Sequence, residues 1–232
     1  MSWGGPVEME RSSEEDSLLS TRSRRQPRPM PIIVLADVSG SMQGEKIALL
    51  NRSVEAMLRA FADEDSARGE IHVAVIAFGG QTARLHQAMT PASRVSWSDM
   101  EAAGRTPLGA AFDVASAVLD DSDAVPVRSF PPTLILVSDG APTDDWTEPF
   151  DALVSSRWGS KALRVAVGIG ADRTEEAVRV LADFGAPGLP VMRADQVHEI
   201  PGLFRWVTAT VTGKLHEHTG GKAVRLADLD MS

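Results

Sequence analysis

The chain has 232 residues, of which 43% are hydrophobic and 24% charged, with a formal net charge of −9; that suits one soluble domain with a sizeable core and some unstructured margin. Cysteine is absent, which excludes disulfides, thiolate metal sites and cysteine nucleophiles. The acidic balance argues against a general nucleic-acid binder, which needs a basic face, and fits a partner or a cation that is positive.

Residues 1–28 read as a tail. "MERSSEEDSLLSTRSRRQPRP" has few large apolar side chains, so it buries too little surface to offset its ordering entropy. Its acids come first and its bases second, leaving two readings: a solvated leader, or a docking segment for an acidic partner with Trp3, Leu18 and Leu19 as anchors. The N-terminus has no apolar stretch of the secretory kind and no run of about 18 apolar residues exists, so a cytoplasmic protein without a membrane contact is expected. A folded domain over residues 29–215 and a polar C-terminal tail over 216–232 complete the expected organisation.

"IIVLA" (Ile32–Ala36) is an apolar run that predicts a buried strand. Ile47, Leu50, Val54, Met57, Leu58 and Phe61 then recur at helical spacing. "IHVAVIAF" (Ile71–Phe78) predicts a second buried strand, and "TARLHQAMT" (Thr82–Thr90), across the turn signal "GGQ", an antiparallel edge. Thr106 and Pro107 mark the start of a helix through "LGAAFDVASAVLDD". "TLILVSDG" (Thr133–Gly140) is a third buried strand. After it come a helix around "EPFDALVSSRW", a strand "LRVAVGIG", a helix "TEEAVRVLADFG" and a short strand near "LPVMR". A last helix around "GLFRWVTATVTGKL" places Leu203, Phe204, Val207 and Val211 on one face. This alternation predicts an α/β fold: a doubly wound, six-stranded, mainly parallel sheet with one antiparallel edge strand and helices on both faces.

In such sheets the site lies outside the carboxyl ends of the strands. Three loops converge there: "DVSGS" with Asp37, Ser39 and Ser41, "AAGRTP" with Thr106, and "VSDGAPTDD" with Asp139. Two carboxylates and three hydroxyls are hard oxygen donors, a set that suits Mg²⁺, with Mn²⁺ or Ca²⁺ as alternatives. Asp37, Ser39 and Ser41 are alternate residues, so an extended segment points them one way, and Gly40 permits the tight turn between the serines. Helix N-termini follow Ser41 and Thr106 and offer free N–H groups.

The pattern D-x-S-G-S, a distant threonine before a helix and S-D-G at a later strand end resembles the von Willebrand factor A domain with its metal-ion-dependent adhesion site, over nearly all of residues 31–214. "GEKIALLNRSVEAMLRAF" and "IHVAVIAF" are similar to the tellurite-resistance TerY group. The resemblance implies that Ser39, Ser41 and Thr106 bind Mg²⁺ through their hydroxyls while Asp37 and Asp139 act mostly through waters. It further implies adhesion without turnover: a cation with neutral ligands keeps its charge and recruits an acidic side chain of another protein. Kinases, phosphatases or an AAA+ ATPase in bacterial stress and conflict systems are the implied partners, the ATPase case as a substrate adaptor. The family usually has two glycines before the threonine; here Gly104 and Arg105 stand there. Arg105 is either solvated or a bidentate grip on the incoming carboxylate.

Asp144 and Asp145 either extend the metal shell, with Asp144 and Gly104 joining Arg105 at the partner contact, or begin the next helix, "TDDWTEPF" being rich in capping residues. His216 and His218 form too short a pair to argue for a metal, His72 and His86 read as structural, and Trp158 and Trp206 are expected to pack on the sheet. "GIGADR" lacks the spacing of a dinucleotide loop, and "GGK" lacks the loop of a phosphate site. The rival function is Mg²⁺-dependent phosphoryl transfer from an aspartate nucleophile, which wants a second carboxylate two residues on, where this chain has Ser39. A third reading is a structural module with a vestigial site; the intact set of five side chains speaks against it.

Overall fold

The computed structural model describes residues 1, 27–64, 69–169, 174–194 and 197–219, the side chains of Val197, Leu203 and Thr219 excepted. The tail anchors Trp3, Leu18 and Leu19, the "GADR" of "GIGADR", "GGK" and the Leu203 side chain therefore lie outside the described residues.

β1 (Arg28–Asp37) runs between β2 (Gly69–Gly79) and β4 (Thr133–Ser138), parallel to both. That central place explains why Ile32–Ala36 is apolar without alternation: both faces of the strand are covered. β3 (Thr82–Pro91) folds back antiparallel on β2 through a turn in which Gly80 takes φ +68°. β5 (Leu163–Ile169) and β6 (Met192–Ala194) extend the parallel part, giving the order β3-β2-β1-β4-β5-β6. The expected six strands and the single antiparallel edge are both present.

The helices divide between the faces as the residue parity of β1 requires. Met30, Ile32, Val34 and Ala36 pack with α1 (Glu45–Asp63) and α5 (Ile200–Thr219), where Leu50, Val54, Phe61, Phe204, Val207 and Val211 form the apolar faces. Ile33 and Leu35 pack instead with α2 (Leu108–Asp120), α3 (Thr147–Ser155) and α4 (Glu175–Phe184). Phe112 joins the two latter helices by contact with Phe150 and Phe184, ring centroids 5.3 and 5.9 Å away. Trp158 is buried in this second layer, and Trp206 is half-buried against the first. His72 pairs with Glu70, and His86 donates from Nε2 to the Ser98 carbonyl beside Trp97, both structural contacts.

Two helix ends differ from the sequence reading. Thr106 and Pro107 precede α2, yet no side chain at that N-terminus caps it locally; its cap comes from a distant loop, as described below. α5 continues to Thr219, so His216 and His218 lie on a helix and not in a polar tail. No helix among the described residues is long and apolar enough to cross a membrane.

The chain leaves β1 for β2 and β3 on one side, then returns across β1 to build β4, β5 and β6 on the other. The direction of winding reverses between β1 and β4, the place in such sheets where a site at the strands' carboxyl ends is expected.

Candidate functional site

β1 ends on Asp37 and β4 on Ser138, with Asp139 following at once. Asp37 is fully buried, and each of its oxygens has a donor: the Ser39 N–H at 2.9 Å on Oδ1 and the Ser138 hydroxyl at 2.6 Å on Oδ2. Burial pushes the Asp37 carboxyl above its usual range, hydrogen bonds from Ser138 and Ser39 oppose that push, and the nearby Asp139 charge adds to it.

Beyond Asp37 the oxygens form a string. The Ser39 and Ser41 hydroxyls are 3.0 Å apart, and Ser41 donates to Asp139 Oδ1 at 2.6 Å. Ser39 and Asp139 are buried, whereas Ser41, on the short 3-10 turn Gly40–Met42, is exposed. The string thus runs from the strand end to the solvent. Lys46, in the first turn of α1, closes it by donating from Nζ to Asp139 Oδ2 at 2.5 Å.

Main-chain contacts set the loops against one another. Gly40 N–H donates to Gly104 O at 2.9 Å, Ala103 N–H to Val38 O at 2.8 Å, Gly80 N–H to Ala103 O at 2.6 Å and Arg105 N–H to Gly80 O at 3.0 Å. Such lacing leaves no room for side chains. A Cβ on Gly104, whose φ is +70°, would lie 2.5 Å from the Gly80 Cα, and a Cβ on Gly79 would collide with the Val38 carbonyl. Thr106, buried, is tied to the loop after Asp139: its N–H donates to the Thr143 hydroxyl at 3.1 Å and its carbonyl accepts from Thr143 N–H at 2.9 Å. The structure therefore joins Ser39, Ser41 and Asp139 side chain to side chain, ties the Asp37 carboxylate to them through the Ser39 N–H, and holds the Thr106 main chain to Thr143 of the loop after Asp139. Arg105 is exposed at the rim.

Asp144 has a place that differs from both sequence readings. Its two oxygens accept the N–H groups of Gly109 and Ala110, each at 3.0 Å, so it caps the preceding helix, α2. The cause is plain: Pro107 offers no side-chain oxygen, and the free N–H groups of α2 take a carboxylate from the adjoining loop. Asp145 does serve the following helix, accepting the Thr147 N–H at 3.1 Å and hydroxyl at 2.7 Å.

Sequence reasoning missed Lys46 and Ser138 as members of the cluster. A lysine in a helix's first turn runs against the helix dipole, and that was a usable signal. Ser138 stands within the quoted S-D-G and was readable as a partner for a neighbouring strand end.

A family model described as "VWA domain containing CoxE-like protein" matches residues 9–192, more than half of the chain. The chain belongs to this family. Among solved structures, this VWA domain is similar to the ArnB paralog VWA2 from Sulfolobus acidocaldarius, at 19% identity and a TM-score of 0.56 over 78% of this chain and 45% of that one. A von Willebrand factor type A protein from Catenulispora acidiphila aligns at 18% identity and a TM-score of 0.59, covering 81% and 43% of the two chains. The pilus adhesin SpaC from Lactobacillus rhamnosus GG aligns at 14% identity and a TM-score of 0.62, covering 81% and 31%. The VWA domain spans less than half the length of each of these three proteins, and at such identities the likeness is one of fold. No match was found among curated proteins.

Proposed function

We propose that this VWA domain is a cation-dependent protein-interaction module that grips an acidic side chain of a partner at the carboxyl ends of β1 and β4. The observation that carries the reading is the oxygen string Ser39–Ser41–Asp139, backed by buried Asp37 and open to solvent at Ser41. Its donor chemistry fits Mg²⁺: hydroxyl and carboxylate oxygens without nitrogen or sulfur.

Asp37, Ser39, Ser41, Thr106 and Asp139 would hold the metal. Bound there, the cation would supply a positive contact that a partner's carboxylate completes. The chain's own work is positional. Ser138 and the Ser39 N–H fix the Asp37 carboxylate, and the Gly40–Gly104 bond presents the serine turn next to the Thr106 loop. Arg105, exposed at the rim, would meet the same carboxylate in a bidentate pair.

Binding without turnover is part of the proposal. Asp37 is enclosed by Ser39 and Ser138 with no second carboxylate two residues on, so an aspartate nucleophile would lack its acid–base partner. The motif resemblance alone carries the finer placement, as an adaptor in a TerY-like tellurite-resistance or stress system with kinases or phosphatases, or beside an AAA+ ATPase.

Titration calorimetry with Mg²⁺ and Mn²⁺ on the wild type and on Ser41→Ala is the direct test. Binding in the wild type that falls at least about tenfold in the variant is expected, one charge-assisted contact being worth that much. A wild type that takes up neither ion defeats the reading. Retention of a partner from cell extract should also be lost on adding EDTA, and Arg105→Ala should weaken it.

A further inference from the structure

Lys46 is the one member of the cluster whose charge opposes a metal. It occupies the second position of α1, after a turn in which Gly44 takes φ +80°, and the helix N-terminus behind it has no side-chain cap. A cation in a first turn faces the positive end of the helix dipole, so this site needs a compensating attraction. Asp139, 93 residues further along the chain, provides it. The lysine side chain is 20% exposed and the aspartate side chain 1% exposed, so this ion pair is largely shielded from water. Both oxygens of Asp139 are then engaged, one by the Ser41 hydroxyl and one by the ammonium.

We propose that Lys46 is a built-in counter-ion of the strand-end cluster: it neutralises Asp139 while no metal is bound and competes with the divalent cation for that carboxylate. The inference rests on the cation reading given above and adds a determinant of affinity to it. Two carboxylates, Asp37 and Asp139, lie close enough for the charge of one to act on the other. Without a positive group between them and the solvent, the empty cluster would carry a buried excess of negative charge. Lys46 removes that excess, and the entering ion must displace its ammonium or bear its repulsion. Affinity for the metal is thereby lowered in exchange for a stable empty state. The lysine stem is long and one end of the pair is partly open to water, so the ammonium can leave Asp139 by side-chain rotation without unwinding α1.

The test compares the wild type with Lys46→Met, which keeps the stem and removes the charge, and Lys46→Arg, which keeps the charge. Calorimetric titration with Mg²⁺ and Mn²⁺ should show binding at least about tenfold tighter in Lys46→Met and near wild type in Lys46→Arg. Thermal melts should place metal-free Lys46→Met below the wild type, with a larger upward shift on adding Mg²⁺. Equal or weaker metal binding by a folded Lys46→Met overturns the competition while leaving the cation site standing. Should Lys46→Met fail to fold without metal, refolding in Mg²⁺ supports the counter-ion role and failure in both conditions opposes it. Absence of binding in the wild type and in both variants removes the cation site itself, and the competition with it.

Discussion

Gly109 lies where α2 meets the loop that caps it. A Cβ there would collide with the Asp145 carbonyl oxygen and press on the Asp144 carboxylate, so the residue is small because two segments touch. Gly109→Ala should destabilise the domain by roughly 1–3 kcal/mol through overpacking, and Asp144→Ala by about 1 kcal/mol through loss of the cap. Urea unfolding midpoints of the single and double variants measure both. Because the two residues share one contact, the double variant should lose less than the sum. None of this was legible in the sequence, where Asp144 is simply an acid near a helix start. The helix it serves begins 36 positions earlier than the aspartate, and only the return of the chain to β4 brings the two together. That Asp37, Ser39, Ser41 and Asp139 gather at the strand ends was legible for the opposite reason: each lies at or just beyond the end of an apolar strand run, where the sheet topology brings them together.

At the level of elements, strands and helices were readable wherever the apolar pattern matched burial. Phe61, the last large residue of the α1 pattern, is fully buried against β1, and Phe61→Ala should cost about 3–5 kcal/mol by creating a cavity, to be read from the same urea titrations. The end of α5 was not readable, since "HEHT" after Leu215 carries no apolar residue to continue the face. Contacts from elsewhere hold it. Leu215 is buried, His216 pairs with Glu64 at 2.8 Å, and His218 stacks on Phe130 with centroids 5.0 Å apart. Burial lowers the His218 pKa from 6.5, and the Lys214 charge adds to that effect. The folded chain then binds fewer protons at this site than the unfolded chain does. The contribution of His218 to stability is intact above about pH 6.5 and is lost as pH falls through the lowered value. Melting temperatures taken from about pH 8 down to about pH 5 should therefore drop less steeply in His218→Leu than in the wild type.

Across the whole molecule, one strand organises the rest. β1 is hydrogen-bonded on both edges and covered on both faces, so the amides of Ile32–Ala36 should exchange with solvent only through global unfolding. Native-state hydrogen exchange should find them the slowest in the protein, with β3 at the sheet edge among the fastest of the strand amides. The same topology explains how the fold could be read so fully from alternation: apolar runs without period two have room only in the middle of a parallel sheet between helical layers. It also explains why membership of the cluster could be read only in part. Ser138 enters because β4 pairs with β1, and Lys46 because a helical turn bends back over the strand ends. Each left a local hint, but which carboxylate each would meet depends on proximity in space, which residue spacing along one chain does not encode.

The glycine lacing between residues 38–40, 79–80 and 103–105 has a consequence for how such a strand-end surface changes over time. Its shape is drawn by the main chain, hydrogen bond by hydrogen bond, and so is indifferent to which side chains decorate the rim. Position 105 can therefore exchange arginine for other residues while the mould beneath keeps its form.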